Sequence, residues 1–212
     1  MKDILLSILN LSSNKVKYKA SFLKNFKLCM SEIVIGIDPG SRFTGYGIVK
    51  LVGNETHYLG SGCIKTGNGD LASKLKIIFD GVTALIEQFK PTSLAIEETF
   101  LSKNVQSTVK LSEARASAIV AGANLGLAVY EYSPMQIKQA VVGYGWAAKE
   151  QVQYMVKNIL RLKGQPQADA ADALACALCH CYTNKVTQAM GSSVANTPSV
   201  HGRLQSAKVE NK

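Results

Sequence analysis

No apolar run in this chain approaches the ~18 residues that a membrane-spanning helix requires. A disulfide scaffold is excluded as well. The five cysteines, Cys29, Cys63, Cys176, Cys179 and Cys181, are odd in number and mostly clustered. The chain is therefore read as a protein of a reducing, cytoplasmic compartment. Residues 1–29 lack Gly, Pro and the arginines of an organelle transit peptide, and no small-residue cleavage site follows an adequate apolar core. Residues 1–30 are accordingly expected to stand outside the folded domain, either disordered or an over-read of the start codon at Met30. Acids are few, and the formal net charge is +9. Six lysines and one aspartate in residues 1–29 account for +5 of it, leaving +4 for the rest. That balance argues only mildly for a polyanionic partner.

What the chain does have is 47% apolar residues in 212, enough for one domain with a proper core. Ile33–Asp38, Phe43–Leu51 and His57–Thr66 read as strands, the last two joined by a hairpin turn at 52–55. Asp70 is placed to cap a helix over Leu71–Phe89, where Leu75, Ile78, Val82, Leu85 and Ile86 recur at helical spacing. Ser93–Glu98 and Ala128–Tyr132 read as short buried strands. Helices are expected over Ser102–Leu125, from Pro134 to about Gly143, over Lys149–Leu162 and over Ala168–Cys181. The order β-β-β-α-β-α-β-α-α-α predicts an α/β fold, a five-stranded mixed sheet with helices on both faces. The domain is expected to span 31–183, followed by a flexible polar tail over 184–212.

The stretch "VIGIDPGS" poses a chemical question. A strand as apolar as Ile33–Ile37 ends in a bare carboxylate, Asp38, and such a group is costly to bury unless it is paired. Glu97 ends "LAIEE" in the same way; parity alone does not separate it from Glu98. In "QADAADALA", Asp169 and Asp172 stand at i, i+3 on one helix face. Ligands of open α/β sheets collect beyond strand ends. Four acids converging there repel one another unless cations intervene. Hard oxygen donors select Mg²⁺ or Mn²⁺, and two such ions can clamp an in-line phosphoryl displacement. Taken singly, each residue has a plainer role: Asp38 in a D-P-G turn, Glu97 as a strand-end acid, Asp169 as a helix N-terminal charge.

The segments "GIDPGSRFTGYGIV", "YLGSGCIKT", "AIEETF", "KQAVVGYG" and "QADAADALA" resemble, in order and spacing, the RuvC family of Holliday junction resolvases, endonucleases of the ribonuclease H-like fold. The likeness covers roughly Ser31 to Cys181. It implies that Asp38, Glu97, Asp169 and Asp172 are the catalytic, metal-binding carboxylates, and it selects Glu97 over Glu98. It further implies two Mg²⁺ ions per site, with Mn²⁺ able to substitute. The implied substrate is four-way junction DNA, nicked symmetrically by a homodimer to leave 5′-phosphate and 3′-hydroxyl ends. RuvA and RuvB, the branch-migration proteins, are implied partners.

Residues 133–165 carry Lys138, Lys149, Lys157, Arg161 and Lys163 against Glu150 alone, a basic stretch suited to phosphates. The resemblance singles out Lys138 and Lys149 as DNA-binding residues. Phe100 is expected to stack on an unpaired base, as the family's aromatic at this match implies, although a core role is the plain alternative. Arg42 is expected to touch phosphate or to pair with a local acid. The 102–125 helix carries an apolar stripe that core packing alone would explain; in the family it forms the dimer interface. Cys176, Cys179, His180 and Cys181 have zinc-like spacing, but on one continuous helix they cannot close on one ion, so they are read as buried packing residues. Two rival readings stand beside the nuclease. An actin-like nucleotide phosphotransferase shares the "GIDPGS" loop, but this chain has no second "DxG" loop. A non-catalytic junction binder would lack at least one of the four acids.

Overall fold

A computed structural model describes residues 31–99 and 105–189. The expectations for residues 1–30, for Phe100 and for the tail from residue 190 lie outside the described residues. Five strands form one sheet: β1 (Ser31–Asp38), β2 (Phe43–Val52), β3 (Glu55–Lys65), β4 (Ser93–Glu97) and β5 (Ala128–Tyr132). Their order is β3-β2-β1-β4-β5. The hairpin-linked β1, β2 and β3 pair antiparallel, whereas β1–β4 and β4–β5 are parallel. Among the described residues five helices accompany the sheet: α1 (Leu71–Phe89), α2 (Val105–Asn124), α3 (Pro134–Val142), α4 (Lys149–Ile159) and α5 (Ala168–Ala189). The expected mixed sheet and element order are thus observed. Among the described residues, no helix is long and apolar enough to cross a membrane.

Strand parity divides the core in two. Ile35, Ile37, Ile48, Leu94 and Ile96 face α1 and α2. Val34, Val49 and Ala95 face the other way, onto α5 with α3 and α4 behind it. This alternation follows directly from the two-residue period of a strand. The helix ends follow local chemistry. The Asp70 carboxylate accepts from the Ser73 amide at 2.8 Å, as expected of an N-cap. Ser133 and Gln136 form a capping box ahead of Pro134, and Gly143 closes α3 at φ 100°.

The strand ends shift by one or two residues from the sequence reading, and two helix ends shift further. Helix α4 stops at Ile159 rather than Leu162, because the chain turns into the left-handed region at Arg161, φ 51°. Helix α5 runs on to Ala189 rather than ending at Cys181. Its continuation through Asn184–Ala189 is polar, but neither Gly nor Pro interrupts it before Gly191.

Helix α5 lies unusually close to the sheet. A Cβ added at Gly36 would stand 2.1 Å from the Ala173 carbonyl oxygen, and one at Gly47 would stand 2.6 Å from the Leu174 amide. The sheet glycines and the helix alanines together allow this near backbone-to-backbone contact.

Candidate active site

Each acidic side chain reaches the site by a different local rule. Asp38 ends β1 with the parity of Val34 and Gly36, so it faces α5. The turn that follows is pinned by buried Thr44, whose Oγ1 donates to the Gly40 carbonyl at 2.8 Å. Glu97 ends β4, and the register Gly36↔Ala95 and Ile37↔Ile96 puts it next in line beside Asp38. It shares the parity of Ala95 and hence the α5 face. Glu98 has the opposite parity, and its amide donates to the Tyr132 carbonyl at 2.9 Å. Register therefore separates Glu97 from Glu98, which residue spacing alone did not. Arg115 on α2 ties this strand end down, donating from Nε to the Glu97 carbonyl at 3.2 Å and pairing with Glu131.

Asp169 and Asp172 come from the first turns of α5. Gly45, which pairs with Asp38 across β1–β2, sets their height. A Cβ there would meet the Asp169 carbonyl oxygen at 2.1 Å. The glycine thus lets the N-terminal turn of α5 settle over the end of β1.

Asp38 and Glu97 sense the acids around them. Burial, reinforced by the charges of Glu97, Asp172 and Asp169, pushes Asp38 up to about 8. Burial and the Asp172 charge push Glu97 up to about 7, against the opposing pull of Lys149 and Lys138. Lys149 opens α4 and donates from Nζ to Asp172 Oδ2 at 2.6 Å. That hydrogen bond, outweighing partial burial, holds its ammonium above the ordinary lysine range. Lys138, Lys149, Glu97 and Asp172 share the walls of one cavity of about 230 Å³, floored by Ile137 and Val152.

The structure thus brings together Asp38, Glu97, Asp169, Asp172, Lys138 and Lys149. It does not bring Arg42 to them. Arg42 is exposed in the turn before β2, without an ion pair among the described residues, and it acts through its carbonyl, which accepts from the Thr66 amide at 3.2 Å. Two further residues gave no signal in the sequence. Cys63 on β3 places Sγ 3.9 Å from Asp169 Oδ2, a contact that only the β2–β3 pairing creates. Trp146, the one tryptophan, stands 83% exposed between α3 and α4, its ring centroid 5.5 Å from that of Tyr144. The cysteines of the last helix, by contrast, are packing residues: Cys176, Cys179 and Cys181 are buried. His180 is 1% exposed and engaged by Tyr132 Oη at 2.8 Å and Glu32 Oε1 at 3.2 Å.

Among the described residues, no three Asp, Glu, His or Cys side chains stand close enough to hold an ion as they are. Four mutually repelling carboxylates with one close ammonium as countercharge have no reason to close further. The donor chemistry still fits a hard divalent cation: oxygen ligands only, and two carboxyls that are expensive to ionise without positive charge beside them.

Comparison with known proteins points one way. A family model, Crossover junction endodeoxyribonuclease RuvC, matches residues 34–180. The protein of that name from Aeromonas hydrophila is 56% identical over 82% of this chain and 99% of its own length. That from Pseudoalteromonas atlantica is 56% identical with the same coverage. Among solved structures, Thermus thermophilus RuvC in complex with Holliday junction substrate is 36% identical, with a TM-score of 0.70 over 73% of this chain and 96% of that one. The yeast mitochondrial Holliday junction resolvase Ydc2, 11% identical at a TM-score of 0.54 over 74% of this chain and 82% of that one, shares the fold alone. With a family model matching residues 34–180 and relatives above half identity, the chain belongs to the RuvC family of crossover junction endodeoxyribonucleases.

Proposed function

We propose that this protein resolves four-way DNA junctions by hydrolysing a phosphodiester in each of two strands of like polarity, leaving 5′-phosphate and 3′-hydroxyl ends. The single observation that supports this best is the convergence of Asp38, Glu97, Asp169 and Asp172 from β1, β4 and α5, with Lys138 and Lys149 on the rim. Membership of the family implies a divalent metal requirement. We take the ion to be Mg²⁺, two per site, held by these four carboxylates, with Mn²⁺ able to substitute. When bound, such ions supply Lewis-acid activation of water and neutralise charge on the phosphate and leaving oxygen.

The chain's own residues do the rest. Asp38 and Glu97 lie deepest, and to hold such an ion they would have to release their carboxyl protons to water. Asp169 and Asp172 approach from the α5 side, held at depth by the Gly45 contact. Lys149 is paired with Asp172 while no substrate is present; it and Lys138 are placed to receive the negative phosphate and hold it over the carboxylates. Sequence selectivity has no part in these contacts, because phosphate contacts position DNA without reading it.

Two-fold action needs two sites. The outer face of α2 leaves Val105 65%, Val109 50% and Val120 55% exposed. We take it as the surface through which two copies pair, giving a homodimer matched to a nearly two-fold substrate. Phe100, just before this helix, is proposed to stack on an unpaired base at the crossover. Arg42 is proposed to reach backbone phosphate. The setting is cytoplasmic, in recombination and repair alongside RuvA and RuvB.

The test is strand-mapped nicking of a mobile synthetic four-way junction in Mg²⁺, with linear duplex and ATP as controls. Paired, ligatable nicks on the junction and neither duplex cutting nor ATP turnover are expected. ATP turnover would favour the phosphotransferase reading, and junction binding with no cutting would favour a non-catalytic binder.

A further inference from the structure

We infer that a groove between β3 and the loop joining α4 to α5 is a second DNA-backbone site, which holds phosphates of the strand as it leaves the carboxylate centre. The groove encloses about 500 Å³. Tyr58 and Ser61 line it from β3, and Arg161, Lys163 and Gln165 line it from the loop. It has two cations and no acid among its described lining residues. Neither Arg161 nor Lys163 makes an ion pair with a described residue, and both are exposed.

Two backbone features make this surface. The register of β2 against β3 slips by one residue, pairing Ile48 with Gly60 but Val49 with Tyr58. Without that slip, Tyr58 and Ser61, three apart, would point to opposite faces. With it, both face the α5 side, and their hydroxyls meet at 3.1 Å. Such bulges re-aim side chains beside functional sites. On the loop, Arg161 occupies the left-handed region at φ 51° just beyond α4. Glycine is the ordinary residue at such a helix end, and an L side chain takes that conformation only at a cost. An arginine held there lines the groove at the expense of some backbone strain.

The groove is also continuous with the carboxylate centre. Ser61 and Cys63 lie two residues apart on the same face of β3, about 7 Å at strand rise. Cys63 in turn touches Asp169 and, at 3.8 Å, Gln167 Oε1 of the same loop. With successive phosphates of one strand displaced about 3.4 Å along a duplex, the groove lies within a few nucleotides of the cleaved bond. Charge, proximity and an aromatic rim residue together fit a sugar–phosphate backbone. The inference rests on the proposed DNA substrate but not on the cutting chemistry.

The test compares wild type with the double variant Arg161→Gly, Lys163→Gln, titrated against a four-way junction and a linear duplex in EDTA over a range of salt. Two lost phosphate contacts should reduce the magnitude of the log K against log [salt] slope by about 2. The junction-to-duplex affinity ratio should stay unchanged, and single-turnover nicking at saturating protein should stay within about twofold of wild type. Arg161→Gly alone should melt at or above the wild-type temperature, since glycine relieves the backbone. An unchanged salt slope overturns the inference. So does a lower melting temperature for Arg161→Gly, which would make Arg161 a structural residue. Should wild type show no preference for the junction, the proposed function fails instead, while the slope difference on linear duplex still decides the groove.

Discussion

Replacing Asp38 by asparagine should make the metal-free protein more stable, and increasingly so as pH rises. Asp38 is raised from its ordinary 3.8 to about 8 by burial and by its acidic neighbours. Between these values the native state holds a proton that the unfolded chain has released, so wild-type stability falls as pH climbs through this window. Four units at about 1.4 kcal/mol each set an upper limit of about 6 kcal/mol at pH 8. Carboxylates that shift apart and admit water recover much of that, and a gain of about 2–3 kcal/mol is the expected outcome. For a domain of this size that corresponds to a rise of roughly 5–10 °C in Tm at pH 8, shrinking to a degree or two near pH 5. The assay is thermal or urea unfolding in EDTA from pH 5 to 8, repeated with excess Mg²⁺. Added Mg²⁺ should stabilise wild type more than the variant and so narrow the gap. A variant less stable than wild type at pH 8, or a gap that does not change with pH, would refute the reasoning that Asp38 is strained by uncompensated charge.

Further outcomes follow from the same geometry. Gly45→Ala should lift the first turn of α5 away from β1, costing about 1–3 kcal/mol of stability and well over tenfold in nicking rate; a rate within twofold of wild type would show that the height of Asp169 is unimportant. Lys149→Met should slow nicking roughly 10²-fold, as loss of a preorganised charge typically does, while junction binding at low salt weakens only modestly. Glu32 is held at about 2, first by its hydrogen bond with His180 and despite burial, so it contributes stability above pH 4.5 that is lost as pH falls toward 2. Glu32→Gln should therefore destabilise at pH 7 by about 1–3 kcal/mol, with the difference vanishing in acid, as urea unfolding at both pH values would reveal. Because Trp146 is the one tryptophan and lies between the helices that carry Lys138 and Lys149, junction binding should change its fluorescence; an unaltered spectrum at saturation would place the DNA elsewhere.

The periodic parts of this fold were legible from residues alone. Leu71–Phe89 and Ala128–Tyr132 fall where their spacing and bounding turn residues put them. So did the three acid-bearing segments, because a carboxylate ending an apolar strand stands out against burial cost. The facts that decide the site were not legible, because they are pairings. Strand parity left Glu97 and Glu98 open until the family resemblance selected Glu97, and it is the β1–β4 register that sets Glu97 beside Asp38. That Cys63 touches Asp169 depends on where β3 pairs with β2. The depth of α5 depends on glycines that look, in sequence, like turn residues. The slip that turns Tyr58 toward Ser61 leaves no mark in composition or spacing, and Arg161 ends α4 in a conformation that its residue type disfavours. Short-range patterns report on local elements; contacts between distant segments are set by packing.

The central claim is that Asp38, Glu97, Asp169 and Asp172 form one metal-dependent cutting centre. Nicking of a mobile four-way junction in Mg²⁺ by wild type, Asp38→Asn and Glu97→Gln, with junction affinity measured in parallel, tests it most directly. The account predicts paired, ligatable nicks from wild type, and variants that bind the junction as tightly but cut at least 10³-fold more slowly, the scale on which catalytic groups act. Variants that bind and cut as wild type does would contradict it, and would leave these carboxylates a structural role only.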